Sequence, residues 1–100
     1  GAFQRYKRRN IKMIIALDYD KTYTADPKLW MDFIQSCKAR GHKVICLTMR
    51  YPTEPITDML CDVIYTSRKA KLVYAIKNGI AVDIWIDDSP AWLFDDAASA

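Results

Sequence analysis

The feature that most constrains this chain is an apolar strand that ends abruptly in two carboxylates. The run from Met13 to Leu17 is followed directly by Asp18-Tyr19-Asp20. Charge beside a low-dielectric interior is unfavourable unless it is paired or bound to a metal. Later apolar runs end in Thr48 and in Asp87-Asp88. Because parallel α/β sheets place ligands just outside the carboxyl ends of their strands, the pattern predicts a functional site at one sheet edge.

Strand and helix patterns alternate along the chain. Continuous β-branched runs predict strands at 12–17, 44–48, 62–65 and 82–86. Helices are expected between them, at 27–40, 53–60 and 67–78, the third capped by Ser67 and closed by Gly79. The order βαβαβαβ with short connections indicates an α/β fold with a small parallel sheet.

The first helix carries the clearest local signals. Asp26 is a good N-cap, Pro27 suits the first helical position, and Gly41 provides a stop. One apolar face follows from residues at helical spacing, namely Trp30, Phe33, Ile34 and Cys37.

Length and composition indicate a single domain. The chain has 100 residues, of which 51% are hydrophobic and 27% charged. We expect one domain at 11–94, a basic arm at 1–10 and a frayed tail at 95–100. No apolar run approaches bilayer length and no signal-peptide pattern is present, so no membrane partner and a cytoplasmic location are expected. The odd number of cysteines without metal-type spacing predicts buried free thiols at Cys37, Cys46 and Cys61.

The net charge of +3 hides an asymmetry between the first residues and the rest. Residues 1–12 contain five basic side chains and no acid, which leaves the remainder of the chain at −2. Such an arm can steer a protein towards phosphate-rich partners, or it can be a solvated end. The basic residues are Arg5, Lys7, Arg8, Arg9 and Lys12.

Four pieces with chemical potential stand in order along the chain. They are Asp18-x-Asp20-x-Thr22, Thr48 after a strand, a lysine near a helix start (Lys69 or Lys71), and Asp87-Asp88 after the last strand. Each alone is a weak signal. Together they resemble the haloacid dehalogenase-like (HAD) superfamily of phosphohydrolases, over residues 11–93, with DYDKT, ICLT and IWIDD matching its motifs. The similarity is closest to small, capless members, including short phage and bacterial proteins.

The resemblance implies a Rossmann-like three-layer fold with sheet order 4-1-2-3 and an Mg²⁺-dependent phosphomonoesterase activity. Asp18 would be the nucleophile that forms an aspartyl-phosphate, and Asp20 the general acid. Thr48 would bind a phosphoryl oxygen. Lys71, with Lys69 as the alternative, would neutralise the phosphate and the nucleophile.

The implied metal ligands are carboxylates at two strand ends. Asp18, Asp87 and Asp88 would hold Mg²⁺, with Asp20 joining through its backbone carbonyl; which of the two adjacent acids binds directly is open. Hard oxygen ligands suit Mg²⁺. Without a cation, these carboxylates would repel a phosphate, so the residues themselves also predict metal dependence. Thr22 and Arg50 are expected to contact the substrate.

Two positions depart from the family pattern, and a lid is missing. Met49 and Lys21 stand where glycine is common in the family. The connections from Thr22 to Asp26 and from Thr66 to Lys71 are too short to hold a cap. An open site favours a large phosphorylated substrate such as a nucleic-acid end or phosphoprotein, or a neighbouring subunit of a homo-oligomer as lid; small nucleotides stay open as substrates.

Two other readings use the same residues. A response-regulator receiver domain also has strand-end acids, a threonine and a lysine, but it needs an aspartate where Thr66 follows the third strand and a lysine after a fifth strand. A degenerate phosphatase domain that only binds Mg²⁺ or phosphate, or docks on a protein, is the alternative of a different class. Trp92 is the tryptophan expected to be most exposed, whereas Trp30 and Trp85 are expected in the core.

Overall fold

A parallel four-stranded sheet forms the centre of the molecule. The structure is a computed structural model that describes residues 10–98, so Arg5, Lys7, Arg8 and Arg9 of the basic arm lie outside the described residues. The strands are β1 (Ile14–Leu17), β2 (Lys43–Thr48), β3 (Asp62–Tyr65) and β4 (Ile84–Ile86). Their order is β3-β2-β1-β4, which is 4-1-2-3 when read from the β4 edge.

The register brings the strand exits together. Leu17 at the end of β1 lies opposite Cys46 on one side and Ile86 on the other. The next residue, Asp18, therefore leaves the sheet beside Asp87, and the ladder continues through a hydrogen bond from its backbone N–H to the Ile86 carbonyl (2.9 Å). This register gives the predicted site its location.

Helices cover both faces of the sheet. Helix α1 (Pro27–Ala39) packs on the face that includes Ile15 and Leu17, and helix α2 (Lys71–Lys77) on the face that includes Ile14 and Ala16. Successive residues of β1 thus serve opposite layers, which explains why the strand is apolar throughout. The α/β prediction is confirmed.

Helix α1 begins and ends as its sequence predicts. The Asp26 carboxylate accepts a hydrogen bond from the backbone N–H of Leu29, and Pro27 is the first helical residue. Gly41 has a φ of 86°, a left-handed conformation that glycine adopts without strain. Of the predicted apolar face, Ile34 and Cys37 are buried while Trp30 and Phe33 are half-buried.

The prediction of a helix at 53–60 is wrong, because these residues form a loop. Its backbone groups pair with side chains instead: the Tyr51 N–H donates to the Glu54 carboxylate and the Ile56 N–H to the Tyr65 hydroxyl, both at 2.9 Å. Pro55 also lacks an N–H and disfavours the helical conformation of the residue before it. Side-chain bonds of this kind compete with helix formation.

Helix α2 is shorter than predicted at its start. Ser67 and Arg68 have φ values of 53° and 71°, so Ser67 does not cap the helix, and α2 begins at Lys71 after Ala70. Of its apolar residues, Ile76 is 70% exposed and Val73 is exposed too. Ala75 and Lys71 are the buried residues of the helix.

The last strand begins later than predicted, and the tail binds the loop before α2. The Asp83 carboxylate accepts the backbone N–H of Ile14, and β4 begins only at Ile84. The Asp96 carboxylate accepts the Ala70 N–H (2.7 Å), and the Ala97 N–H donates to the Arg68 carbonyl (2.8 Å).

The cysteines are free thiols, as expected. Cys37 and Cys46 are buried and Cys61 is half-buried. Across residues 10–98, neither helix has the length and apolar character needed to cross a membrane.

The N-cap of α1 gives a test of the fold. We expect Asp26→Ala to lower the free energy of unfolding by about 1 kcal/mol, because the Leu29 N–H loses its acceptor. The matched control is Asp32→Ala on the same helix, which removes only an exposed pair with Lys28 and should cost less than about 0.5 kcal/mol. Urea denaturation of both variants is the measurement, and equal losses would contradict the capping role.

Candidate active site

A cleft opens at the carboxyl edge of β1, β2 and β4. It has a volume of about 320 Å³ and contains most of the residues that the sequence singled out. Its lining consists of Asp18, Asp20, Lys21, Thr48, Met49, Arg50, Arg68, Lys71, Asp87, Asp88, Ser89, Trp92 and Ala97. The strand-end prediction therefore places its acids, threonine and lysine around one cavity.

Asp18 lies at the floor of the cleft and is only 8% exposed. One carboxylate oxygen accepts a hydrogen bond from Lys71 Nζ (2.7 Å), and the other lies 2.9 Å from the Thr22 hydroxyl, which donates to it. Burial raises the pKa of Asp18 to about 6, although the Lys71 ammonium opposes the shift. The carboxylate is thus held in place while its charge is only partly compensated.

Lys71 connects two of the acids from the first turn of α2. Its Nζ is 2.7 Å from Asp18 Oδ1 and 2.6 Å from Asp87 Oδ2. Burial acts to lower the pKa of Lys71, but the hydrogen bonds and charges of the two aspartates raise it above its ordinary value. Lys69 is exposed and lies near Asp96 (3.9 Å), outside the cleft lining. Geometry therefore favours Lys71 of the two lysines.

Asp18, Asp87 and Asp88 form a carboxylate cluster. Each offers one oxygen, and the three oxygens lie within 4.8 Å of one another. The pKa of Asp88 lies below its ordinary value, because Asp88 interacts with the neighbouring Asp18 carboxyl and its carboxylate lies beside the Thr22 hydroxyl. With Lys71 as the neighbouring cation, the fully ionised cluster has a formal charge of −2.

This donor set fits a hard divalent cation. Carboxylate oxygens are the ligands that Mg²⁺, Mn²⁺ and Ca²⁺ prefer, and two positive charges would offset the residual charge of the cluster. The residue types do not select Mg²⁺ over the other two. The carboxylate of Asp20 is not part of the cluster and pairs with Arg50, which leaves its backbone carbonyl as the group expected to reach the metal.

Thr22 binds the acids rather than lining the cleft. Its hydroxyl lies 2.9 Å from Asp18 Oδ2 and 3.1 Å from Asp88 Oδ1, and it accepts the Asp88 N–H (3.2 Å). A hydroxyl has one hydrogen, so it donates to one carboxylate at a time. The predicted substrate contact is therefore not supported by its position; Thr22 orients two carboxylates.

Asp20 and Arg50 form a two-pronged ion pair at the mouth of the cleft. Arg50 Nη2 and Nε lie 2.8 and 3.0 Å from the two Asp20 oxygens. The guanidinium also lies over the Tyr19 ring, 5.1 Å from its centroid. The hydrogen bonds from Arg50 lower the pKa of Asp20, so this carboxyl is ionised at neutral pH in the paired arrangement.

The backbone beside these groups includes a residue in a strained conformation. Lys21 follows Asp20 with a φ of 66°, a left-handed conformation that glycine adopts most easily. The Thr24 hydroxyl accepts the Lys21 N–H and stabilises this turn (2.9 Å). Thr48 is buried at the end of β2, and its hydroxyl accepts the Arg50 N–H (3.3 Å).

Two residues of the cleft had no assigned role in the sequence analysis. Arg68 donates to the Met49 carbonyl (2.7 Å), pairs with Glu54 (3.1 Å) and lies over the Tyr51 ring. No local pattern predicts this position, since it depends on the left-handed turn before α2. Trp92 is 40% exposed, whereas Trp30 and Trp85 are partly buried against the core, so the predicted exposure is confirmed.

The chain was compared with models of protein families, with curated proteins and with solved structures. None of the three comparisons found a match. The case for a function therefore depends on the geometry of the cleft and on the sequence motifs.

The buried lysine gives a test of the site's architecture. In the presence of a chelator, Lys71→Met should lower the free energy of unfolding by about 3 kcal/mol or more, because Asp18 and Asp87 lose their buried cation. Lys69→Met, the exposed control, should change it by less than about 0.5 kcal/mol. Urea denaturation measures both, and a similar small loss in the two variants would contradict the central role of Lys71.

The carboxylate cluster gives a second test. Asp88→Asn, which keeps the side-chain shape, should weaken Mg²⁺ binding measured by isothermal titration calorimetry by tenfold or more on an order-of-magnitude scale. Asp95→Asn is the control, since this residue lies outside the cluster and does not line the cleft. Unchanged Mg²⁺ affinity in Asp88→Asn would rule out this cation site.

Proposed function

We propose that this protein is a metal-dependent phosphomonoesterase, with Mg²⁺ as the cation, that works through an aspartyl-phosphate at Asp18. The observation that carries the proposal is the floor of the cleft. There a buried carboxylate lies beside two further carboxylates, and one buried ammonium contacts both Asp18 and Asp87. This arrangement combines a nucleophile, hard cation ligands and a phosphate-neutralising group within a few ångströms.

The proposal includes the fold family. A Rossmann-like, three-layer and capless HAD core is supported by the sheet order and by helices on both faces. It is also supported by the motif positions, since all four sequence pieces contribute to the same strand-end cleft. Phosphoryl transfer requires positioning and charge stabilisation above all, which such a cleft supplies.

The first chemical step is an in-line displacement. A carboxylate oxygen of Asp18 attacks phosphorus, and the bond between phosphorus and the leaving alcohol oxygen breaks. Protonated Asp20 gives its proton to that oxygen, so the alcohol leaves neutral. Thr48 and Lys71 lie along the same cavity, where they hold the phosphoryl oxygens.

The second step restores the protein. Water attacks phosphorus, Asp20 takes one proton from it, and the bond between phosphorus and the Asp18 oxygen breaks. Inorganic phosphate then leaves, and Asp18 is again a carboxylate. When bound at Asp18, Asp87 and Asp88, Mg²⁺ would offset the negative charge of nucleophile and phosphate.

Arg50 connects substrate binding to the role of Asp20. In the described arrangement Arg50 keeps Asp20 ionised, which is unsuited to an acid. A phosphate oxygen is an equivalent partner for the guanidinium. When Arg50 exchanges Asp20 for the substrate, Asp20 loses the cation that lowers its pKa, and the negative charge of the phosphate beside it raises that pKa.

The short connections beside the cleft favour a large or elongated substrate. The loop after Asp18 contains only a 3₁₀ turn at Tyr23–Ala25 before α1, and residues 66–70 form a tight turn before α2. A nucleotide or nucleic-acid end, or a phosphoprotein, reaches such a site without a lid. A second subunit of a homo-oligomer is the other way to cover it.

A non-catalytic module that binds Mg²⁺ or phosphate is the second candidate. The Arg50–Asp20 ion pair favours it, because both groups are occupied by each other. Both candidate proteins would bind Mg²⁺ and phosphate, but only the phosphatase would release phosphate from an ester.

The central test is the nucleophile. Asp18→Asn should reduce Mg²⁺-dependent phosphate release from glycerol phosphate by at least roughly 10³-fold, because an amide does not attack phosphorus. Asp58→Asn, outside the cleft, is the control and should keep wild-type turnover. Melting curves show whether each variant is folded.

Two results would contradict the phosphatase. One is wild-type turnover in folded Asp18→Asn. The other is a wild-type protein that binds Mg²⁺ and inorganic phosphate but releases no phosphate from any ester, which would support the binding module.

A further inference from the structure

Trp92 is the aromatic residue in the lining of a cleft that consists mostly of polar residues. It is 40% exposed and lines the same cavity as the carboxylate cluster. It lies four residues after Asp88, in a 3₁₀ turn at Pro90–Leu93. Trp85 packs against the buried cluster beneath α2, whereas Trp92 is not part of a core cluster. The indole is thus a partly exposed aromatic surface in the lining of the cleft.

The turn that carries Trp92 is fixed at both ends. The Ser89 N–H donates to Asp87 (2.9 Å), and the Trp92 N–H donates to the Ser89 carbonyl (3.1 Å). Leu93 is buried, and the following residues bind the loop before α2 through Asp96 and Ala97. A flat side chain on a fixed backbone loses little entropy when a second flat group stacks on it.

Depth separates the two ends of the cleft. Asp18 and Lys71 are almost fully buried, whereas Trp92 in the same lining is 40% exposed and so lies nearer to solvent. A substrate that reaches both needs a phosphate, a spacer and then a flat apolar group. A nucleoside phosphate has this order, with the sugar between phosphate and base. The volume of about 320 Å³ is at the lower end for small-molecule sites.

The charges around the cleft agree with this orientation. Lys21, Arg50 and Arg68 all line it, and a phosphate oxygen is an equivalent partner for the guanidinium groups that now contact Asp20 and Glu54. Indole rings stack on every base because each base has a π-face, and no hydrogen-bond pattern is required. Both ends of a nucleoside phosphate thus meet matching chemistry.

We propose that Trp92 stacks on the nucleobase of a nucleoside phosphate whose ester is hydrolysed at Asp18. The inference rests on the proposed phosphatase function and adds its substrate class and the residue that selects it. The phosphorylated nucleoside is a free nucleotide or the end of an oligonucleotide, which share this chemistry.

The test compares Trp92→Ala and Trp92→Phe in the full chain with Mg²⁺. The substrates are adenosine 5′-monophosphate and 3′-monophosphate, short oligonucleotides with a 5′- or 3′-phosphate, and glycerol phosphate, which has no base. Trp92→Ala should lower kcat/KM on the preferred nucleoside substrate by about 5-fold to about 150-fold, the range for one base stacked on an aromatic side chain. Turnover of glycerol phosphate should stay within about twofold, and Trp92→Phe should keep most of the activity, since phenyl rings stack too.

Phe94→Ala is the matched control, because Phe94 is 64% exposed, two residues away, and does not line the cleft. This variant should leave kcat/KM unchanged on all of the substrates. The substrate whose kcat/KM falls more in Trp92→Ala shows whether the base belongs to a free nucleotide or to the end of an oligonucleotide.

The failures of the two proposals are distinguishable. If wild-type protein hydrolyses glycerol phosphate but Trp92→Ala changes nucleoside and glycerol substrates equally, or neither, the stacking role is overturned while the phosphatase stands. If wild-type protein hydrolyses no ester at all, the phosphatase itself is overturned.

Discussion

The rest of the site depends on the buried ammonium of Lys71 between Asp18 and Asp87. A buried cation and buried carboxylates are each costly alone, so the arrangement is stable only when all three are present. The contact connects the first turn of α2 to the ends of β1 and β4. It therefore determines where α2 starts, and the left-handed turn at Ser67 and Arg68 follows from that position.

Backbone strain is concentrated around this contact. Of the four non-glycine residues with positive φ in the described chain, Lys21, Ser67 and Arg68 flank the cleft, and two of them line it. Left-handed backbone costs such residues roughly 1 kcal/mol or more each, so it persists only where surrounding contacts compensate. Here the Thr24 hydroxyl and the carbonyls of Met49 and Arg50 accept the N–H groups of the strained residues. The energetic cost of left-handed backbone is thus concentrated around one cleft.

Local signals account for what the sequence predicted well. The strand ends, the Asp26 cap and the Gly41 stop depend on residues within a few positions of each other, and all three were confirmed. The predictions failed where the local structure depends on contacts with residues further along the chain. The loop at 53–60 depends on Tyr65, and the start of α2 on Asp18, 53 positions away from Lys71. No periodicity carries that information.

The same limit applied to the site. The sequence identified which residue types gather at the strand ends, because carboxyl ends of parallel strands share an edge. It did not show Thr22 beneath two carboxylates, since the Asp88 contact spans 66 positions. Nor did it show that Arg50 and Arg68 are paired with Asp20 and Glu54.

These pairs define the electrostatics that any anion meets. Arg50, Arg68 and Lys71 each already contact a carboxylate, so an entering phosphate competes with the protein's own acids for every one of them. The carboxylate cluster adds repulsion, because its formal charge remains negative after Lys71 is counted. A divalent cation bound at the cluster would cancel that residual charge and so remove the repulsion. In the proposed phosphatase, cation binding would therefore favour phosphate binding, and this coupling would make an acidic cleft suitable for an acidic substrate.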